Sequence, residues 1–281
     1  MTNKNLRIIY DNVADSATIT ADTTSGNYGV ANLKNDLKGL VHRSTQTSVA
    51  YTLQWSSNQQ INGVVLPYTN LTKSATVTLD FFALAADTQA AHTYTTTVKQ
   101  YDTVSPLLDI AVGGSSTYSY GGGRCVSVWS DDWSQALVTC QKLVVTVTDT
   151  TNPAGYLEVS RIIVGKYWSP IYNTKFGIQV THADQSEQTR TEAGNLVTTN
   201  KPVFKTMNFE LEWLPPADRK TFIDMVKTIG TKRPVFVSVF PENSDPYVEN
   251  EYEVYGKFTA SPTITYSMFT VYNTSVSLEE V

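Results

Sequence analysis

The stretch Val-Ala-Tyr-Thr-Leu-Gln-Trp, residues 49–55, decides the fold class, because large apolar side chains alternate along it with small or polar ones. An alternation with a period of two puts one row of side chains on each face of a β-strand. Val49, Tyr51, Leu53 and Trp55 form the apolar row. We therefore predict a strand with one buried face at this position.

Similar alternations and β-branched apolar runs lie on both sides of this strand. They predict strands at 6–10, 63–67, 75–83, 92–99, 124–129, 142–148 and 157–164. Clusters of turn-forming residues separate the strands, at 56–60, 113–123 and 149–155. Short strands of this kind without intervening helices predict an antiparallel sandwich or jelly roll.

The character of the sequence changes near residues 166–172, where charged residues become denser. Beyond this point we predict strands at 175–180, 202–213, 234–240 and 252–260, and an interrupted or bent strand at 263–278. The segment 182–200 is polar and has no apolar periodicity. The chain is therefore predicted to form two domains, residues 1–166 and 167–281.

One helix is predicted, at about residues 216–229. Pro216 opens it, where a missing N–H costs nothing, and an apolar stripe is formed by Phe222, Met225, Val226 and Ile229. The predicted class is all-β, with two antiparallel β-sandwich domains, of which the second carries this packed helix.

Composition excludes several classes of function. The net charge of −5 and the pI near 5.2 argue against nucleic-acid binding, which requires Lys and Arg to neutralise phosphates. No stretch reaches the roughly 20 apolar residues that span a membrane. The N-terminus lacks the pattern of a signal peptide, so we expect a protein used without export by that route.

The cysteines and histidines are too few and too scattered for a zinc site, and we predict neither metal nor cofactor. Cys125 and Cys140 could bridge across a hairpin, or each could be a small buried side chain. The sequence leaves both alternatives open.

One cluster suggests contact with sugar. Trp129, Asp131, Asp132 and Trp133 combine two acids with flanking indoles, which could hold a glycan or, through oxygen ligands, Ca²⁺. The alternative is a polar loop with its tryptophans packed beneath it. Catalysis is disfavoured, because glycosidase carboxylates stand about 5 to 9.5 Å apart across a cleft, a separation that neighbours on one loop rarely provide.

No other motif supports an enzyme. There is no Gly-x-Ser-x-Gly sequence, and the glycines at 121–123 lack the helix, lysine and hydroxyl residue of a phosphate-binding loop. We therefore expect no catalytic residues.

The polar segment predicts a different kind of contact. Glu187, Arg190, Glu192 and Asn195 suit an extended arm or hairpin that reaches a neighbouring subunit, because mixed charges keep it soluble before it orders on binding. A mobile surface loop is the alternative reading.

Residues 1–166 resemble the discoidin-type, galactose-binding-like jelly rolls. The resemblance lies in YGVANLKNDL at 28–37, Arg43-Ser44, YTLQW at 51–55, the strand and turn at 61–71, and the closing pair at 142–148 and 157–165. It implies a jelly-roll fold for this half of the chain.

Residues 186–260 resemble distal tail proteins and related ring-forming proteins of phage tail tips and baseplates. The resemblance lies in TRTEAGN at 189–195, FELEW at 209–213, PADR at 216–219 and RPVFVSVFP at 233–241. In distal tail proteins the ring domain comes first, whereas here the ring-like half comes second.

This second resemblance implies a structural protein of the virion, made in the host cytoplasm. The C-terminal domain would form a ring with copies of itself, and the jelly roll would lie outside. The implied partners are tail-tube, tape-measure or baseplate hub proteins. The alternative function is a carbohydrate-binding module that contacts host-surface glycan. A hydrolase of cell-surface polymer would need a carboxylate pair that the sequence does not supply.

Overall fold

The computed structural model describes residues 4–98, 124–131, 133 and 136–281. Antiparallel β-sheets contain 47% of these residues, and the predicted all-β class with a packed helix is confirmed. Up to residue 168 the described strands are β1 (Arg7–Ile9), β2 (Thr18–Ala21), β3 (His42–Arg43), β4 (Ser48–Ile61), β5 (Gly63–Thr69), β6 (Thr76–Phe82), β7 (His92–Thr97), β8 (Arg124–Trp129), β9 (Val138–Thr148), β10 (Glu158–Val159), β11 (Ile163–Gly165) and β12 (Tyr167–Trp168).

Two helices lie among the later strands. The described elements continue with β13 (Gln179–Asp184), β14 (Glu187–Arg190), β15 (Leu196–Thr199), β16 (Val203–Leu214), α1 (Pro216–Ile229), β17 (Val235–Ser238), α2 (Pro246–Glu251), β18 (Glu253–Phe258), β19 (Ile264–Met268) and β20 (Val271–Glu280). Single turns of 3₁₀-helix occur at Val13–Ser16 and Val30–Lys34. Neither helix is long and apolar enough to cross a membrane, and the described residues contain no other helix that could do so.

The chain divides into two compact units. The first comprises Met1–Ser169 and Val235–Glu253, and the second comprises Pro170–Pro234 and Val254–Val281. The first change of unit lies close to the domain boundary that we predict at residues 166 and 167. Strand β17 and helix α2, which follow much later in the chain, group with the first unit.

The first unit contains a β-sandwich. One sheet has the strand order β2-β4-β9-β6-β7, and the other places β5 beside β8, β10 and β11, with β3 paired to β10. Side chains from both sheets fill one core, including Tyr51 and Leu53 from β4 and Val64 and Leu66 from β5. The predicted sandwich is confirmed in this unit.

A further layer covers the other face of the second sheet. Strand β1 pairs with both β12 and β17, and its Ile9 reaches the surface of β5 at Gly63. A Cβ atom added at Gly63 would lie 2.9 Å from the Trp129 ring and 2.9 Å from the end of the Ile9 side chain, so a larger residue there would force these side chains to shift. Because this layer covers the sheet, β5 is buried along its whole length.

The turn predicted at residues 56–60 is wrong. Strand β4 continues through it, and its pairing with β9 shifts register between Gln54 and Gln59. An irregularity of this kind accommodates extra residues in one strand without ending it. Polar composition alone therefore does not mark a turn here.

In the second unit, β16 lies between β13 and β20, and β20 also pairs with β18 and β19. Helix α1 contacts β16 and β20, and Phe222, Met225 and Ile229 are buried, while Val226 is half-buried. The predicted helix is confirmed. The strand predicted to begin at residue 175 begins instead at Gln179.

Candidate functional site

The two tryptophans of the predicted glycan cluster are buried in the first unit. Trp129 is fully buried at the end of β8, with its ring 5.4 Å from that of Tyr167 and 6.1 Å from that of Phe236. Trp133 packs edge-on against Phe81 in the sandwich core. Both indoles are therefore packed inside the unit, as in the alternative that the sequence leaves open, and glycan contact by this loop stays a prediction.

Asp131 belongs to an ion-pair network rather than to an open sugar site. Arg7 joins it to Glu242, with Nη2 2.8 Å from Asp131 Oδ2 and Nη1 2.7 Å from Glu242 Oε1. Lys4 pairs with both acids as well. Burial by itself would raise the pKa of Asp131, but the hydrogen bonds and charges of Lys4 and Arg7 lower it below its usual value. The network ties β1 to the segments that follow β8 and β17.

Asp132 and the glycines at 121–123 lie outside the described residues, so any part they play in glycan or phosphate contact stays a prediction. Within the described residues, no three His, Cys, Asp or Glu side chains are grouped in a way that could hold a metal ion. Cys125 and Cys140 are free thiols, and burial raises the pKa of Cys140 to about 12. Cys140 is thus a buried side chain of the sandwich core.

The segment predicted to be an arm forms an isolated two-stranded hairpin in the second unit. Strand β14 pairs only with β15 among the described residues, and every residue from 187 to 203 is exposed. We call residues 185–202 the arm. It continues the ribbon of β13 and β16 beyond Thr206, where pairing with β20 ends. At about 3.4 Å per residue, the tip lies roughly 35 Å beyond that point.

The four arm residues named from the sequence occupy the hairpin and its turn. Arg190 Nη1 donates a hydrogen bond to the carbonyl of Gly194 over 2.9 Å, and Glu187 pairs with Lys201. The backbone N–H of Asn195 donates to Thr191 Oγ1, and Glu192 lies in the exposed turn. These contacts shape the hairpin, and contact with a second subunit stays a prediction.

A partly exposed cluster of side chains, which sequence reasoning does not single out as a site, lies at β3 and β10. The Arg43 guanidinium lies 4.2 Å from the Tyr28 ring centroid and 4.3 Å from that of Tyr156. Its Nε donates to Glu158 Oε1 over 2.9 Å. We call these four residues the Arg43 cluster. They come from three distant stretches of the chain, so no local sequence motif indicates that they lie together.

No protein-family model matches the chain, and no curated protein matches it. Among solved structures, it is similar to the chitosan-binding module 1 of a Paenibacillus sp. IK-5 chitosanase/glucanase, with 16% identity, 56% of this chain and 99% of that chain covered, and a TM-score of 0.38. A Streptococcus pneumoniae fucose-binding module, SpX-3, is similar at 8% identity, with 56% and 99% covered and a TM-score of 0.36.

A larger protein is also similar. A Ruminococcus gnavus GH29 fucosidase shares 11% identity with a TM-score of 0.39, over 56% of this chain and 27% of that chain. The chain thus matches about a quarter of the length of that fucosidase.

Proposed function

We propose that this protein is a non-enzymatic structural subunit that assembles with other protein subunits through its arm. The observation that carries the proposal is the exposure of every residue from 187 to 203, in a hairpin that no layer among the described residues covers. An isolated two-stranded hairpin is marginally stable in water. Its unpaired strand edges offer N–H and C=O groups to another chain. Docking on a neighbouring subunit would stabilise the hairpin and pair its free strand edges.

Exposed apolar side chains in the second unit support the same proposal. Of the fifteen large hydrophobic residues exposed in the described part of the chain, nine belong to this unit, which is about a third of the chain. Two of them, Leu196 and Val197, lie on the arm and are 53% and 48% exposed. Exposed apolar surface concentrated in this way is typical of protein–protein contact.

The assembly that we propose is a ring at a phage tail tip or baseplate. This assignment rests on the resemblance carried by residues 189–195, 209–213, 216–219 and 233–241. Heterologous contacts between identical copies close into a ring when the rotation between copies permits. Immunogold labelling of the phage particles tests the location: labels confined to the distal end of the tail are expected, and labels on the head or absent from particles would contradict it.

Shortening the arm tests its role in assembly. Replacing residues 185–202 by Asn-Gly joins Asp184 to Val203, which are already paired, with a dipeptide that favours a tight hairpin turn. We expect this variant to remain folded, because the removed residues support no core, and to sediment as a monomer under conditions where the native chain forms oligomers.

A variant that keeps the arm provides the control. Gly194→Asn preserves the turn, because asparagine tolerates the positive φ of 82° found there. It should sediment like the native chain. Equal oligomer populations in the native and shortened chains would contradict the proposal.

A second candidate function, contact with glycan, is supported by the Arg43 cluster. Tyr28 is 37% exposed, and its ring lies beside the Arg43 guanidinium, which is held by the Glu158 carboxylate. The ring could contact the apolar face of a sugar, and the two charged groups could bind its hydroxyl groups. On a glycan array, Tyr28→Ala should abolish any saturable binding by the native chain. Tyr247→Ala, a change at an exposed tyrosine elsewhere in the same unit, should leave it intact. Binding unaffected by Tyr28→Ala would remove the cluster from consideration.

A further inference from the structure

Two carboxylates lie buried together at the end of the first unit. Glu249, on α2, is 3% exposed, and Glu253, at the start of β18, is 4% exposed. Glu253 Oε1 accepts a hydrogen bond from Ser127 Oγ of β8 over 2.7 Å. Glu249 Oε1 accepts one from the backbone N–H of Glu242 over 2.7 Å. Glu253 therefore links residues 239–253, which we call the latch segment, to strand β8, whereas the bond of Glu249 lies within that segment.

Each element around the pair contributes a polar or charged group. Strand β8 supplies the Cys125 thiol and the Ser127 hydroxyl, and β17 supplies the buried Ser238 hydroxyl; of these groups, Ser127 donates a hydrogen bond to Glu253. The loop after β17 supplies Glu242, whose own charge is taken up by Arg7 and Lys4.

A small cavity lies beside the pair. It has a volume of about 20 Å³, which is room for about one water molecule, and Thr96, Thr97 and Asn250 also line it.

The charged forms of these two acids oppose one another. Burial is the largest influence on Glu253 and, together with the charge of Glu249, raises its pKa to about 7 from the ordinary 4.5, although the hydrogen bond from Ser127 favours the charged form. Two buried carboxylates that cannot both ionise hold one proton between them. The folded protein keeps this proton up to a higher pH than the unfolded chain does. Its stability therefore falls as the pH rises from the ordinary pKa of 4.5 to about 7.

We propose that Glu249 and Glu253 share one proton, and that its loss loosens the latch segment from strand β8, so that pH controls how firmly this segment is docked. Below the transition the protonated pair bonds to β8 and the latch is closed. Above it, two like charges occupy a site with little water, and the segment opens locally. This device acts in the first unit and does not depend on the arm.

Amide hydrogen exchange, followed by mass spectrometry at pH 5.5, 7.0 and 8.5 and corrected for intrinsic rates, tests the latch. In the native chain, peptides covering 124–129 and 239–253 should lose at least tenfold in protection between pH 5.5 and 8.5. In Glu253→Gln, which cannot ionise, this pH dependence should vanish. Glu192→Gln, a change on the exposed arm, should behave like the native chain.

Protection that is independent of pH in the native chain, or equally pH-dependent in Glu253→Gln, would overturn the proposal. If Glu253→Gln does not fold, the variant Ser127→Ala provides an independent test. This change removes a hydrogen bond that favours the charged form, so the transition should move to higher pH. An unchanged midpoint in Ser127→Ala would also contradict the latch.

Discussion

At the scale of single residues, Arg7 organises the surroundings of the predicted glycan cluster. Its side chain is 4% exposed, forks between Asp131 and Glu242, and lies over the rings of Trp129 and Tyr167. Nothing in the local sequence around Arg7 indicates this role, because its partners are separated from it by more than a hundred positions. The local sequence does not reveal that the Arg7 guanidinium lies over the Trp129 ring and pairs with Asp131.

Arg7→Ala should lower the free energy of unfolding by about 3 kcal/mol, because it leaves Glu242 without its buried cation and uncovers the Trp129 ring. Lys175→Ala provides a matched loss of an exposed ion-paired cation and should lower the free energy of unfolding far less, because solvent screens this pair. Urea unfolding of both variants measures the difference. Equal losses would show that the Arg7 network contributes no more than a surface ion pair.

At the scale of elements, the strands with clear alternation and the helix are predictable, and the departures have local causes. In β16, the pairing with β20 shifts register between Leu211 and Leu214, and Leu214 is buried while Trp213 is 52% exposed. Trp213 has a φ of 63°, a left-handed conformation that a bulky side chain rarely adopts. A bulge of this kind depends on the pairing with β20 and leaves no mark in the alternation itself.

Phe222→Ala tests the packing of α1 on its sheet. Because the ring is fully buried, its removal should lower the free energy of unfolding by about 3 to 5 kcal/mol. Lys220→Ala, on the exposed face of the same helix, should change stability by less than about 0.5 kcal/mol. Thermal or urea unfolding gives both values, and a similar small loss for Phe222→Ala would mean that the helix is not docked as described.

At the scale of the whole molecule, the sequence indicates two halves but not the path of the chain between the units. Residues 235–253 belong with the first unit, because β17 pairs with β1 and Glu253 bonds to Ser127. The hydrophobic periodicity of the sequence does not indicate such long-range contacts, because it predicts only which face of each strand is buried. The exposure of residues 187–203 is predictable from the polarity of this segment and its lack of apolar pattern, whereas the Arg43 cluster is recognisable only from the three-dimensional structure.

The most direct test of assembly is the mass of the full-length protein in solution, measured by light scattering on a size-exclusion column over a wide range of concentrations. We predict a discrete oligomer of fixed stoichiometry, such as a trimer or hexamer, whose population grows with concentration and depends on the arm. A protein that stays monomeric at every concentration would contradict assembly through the arm and favour glycan contact by the first unit.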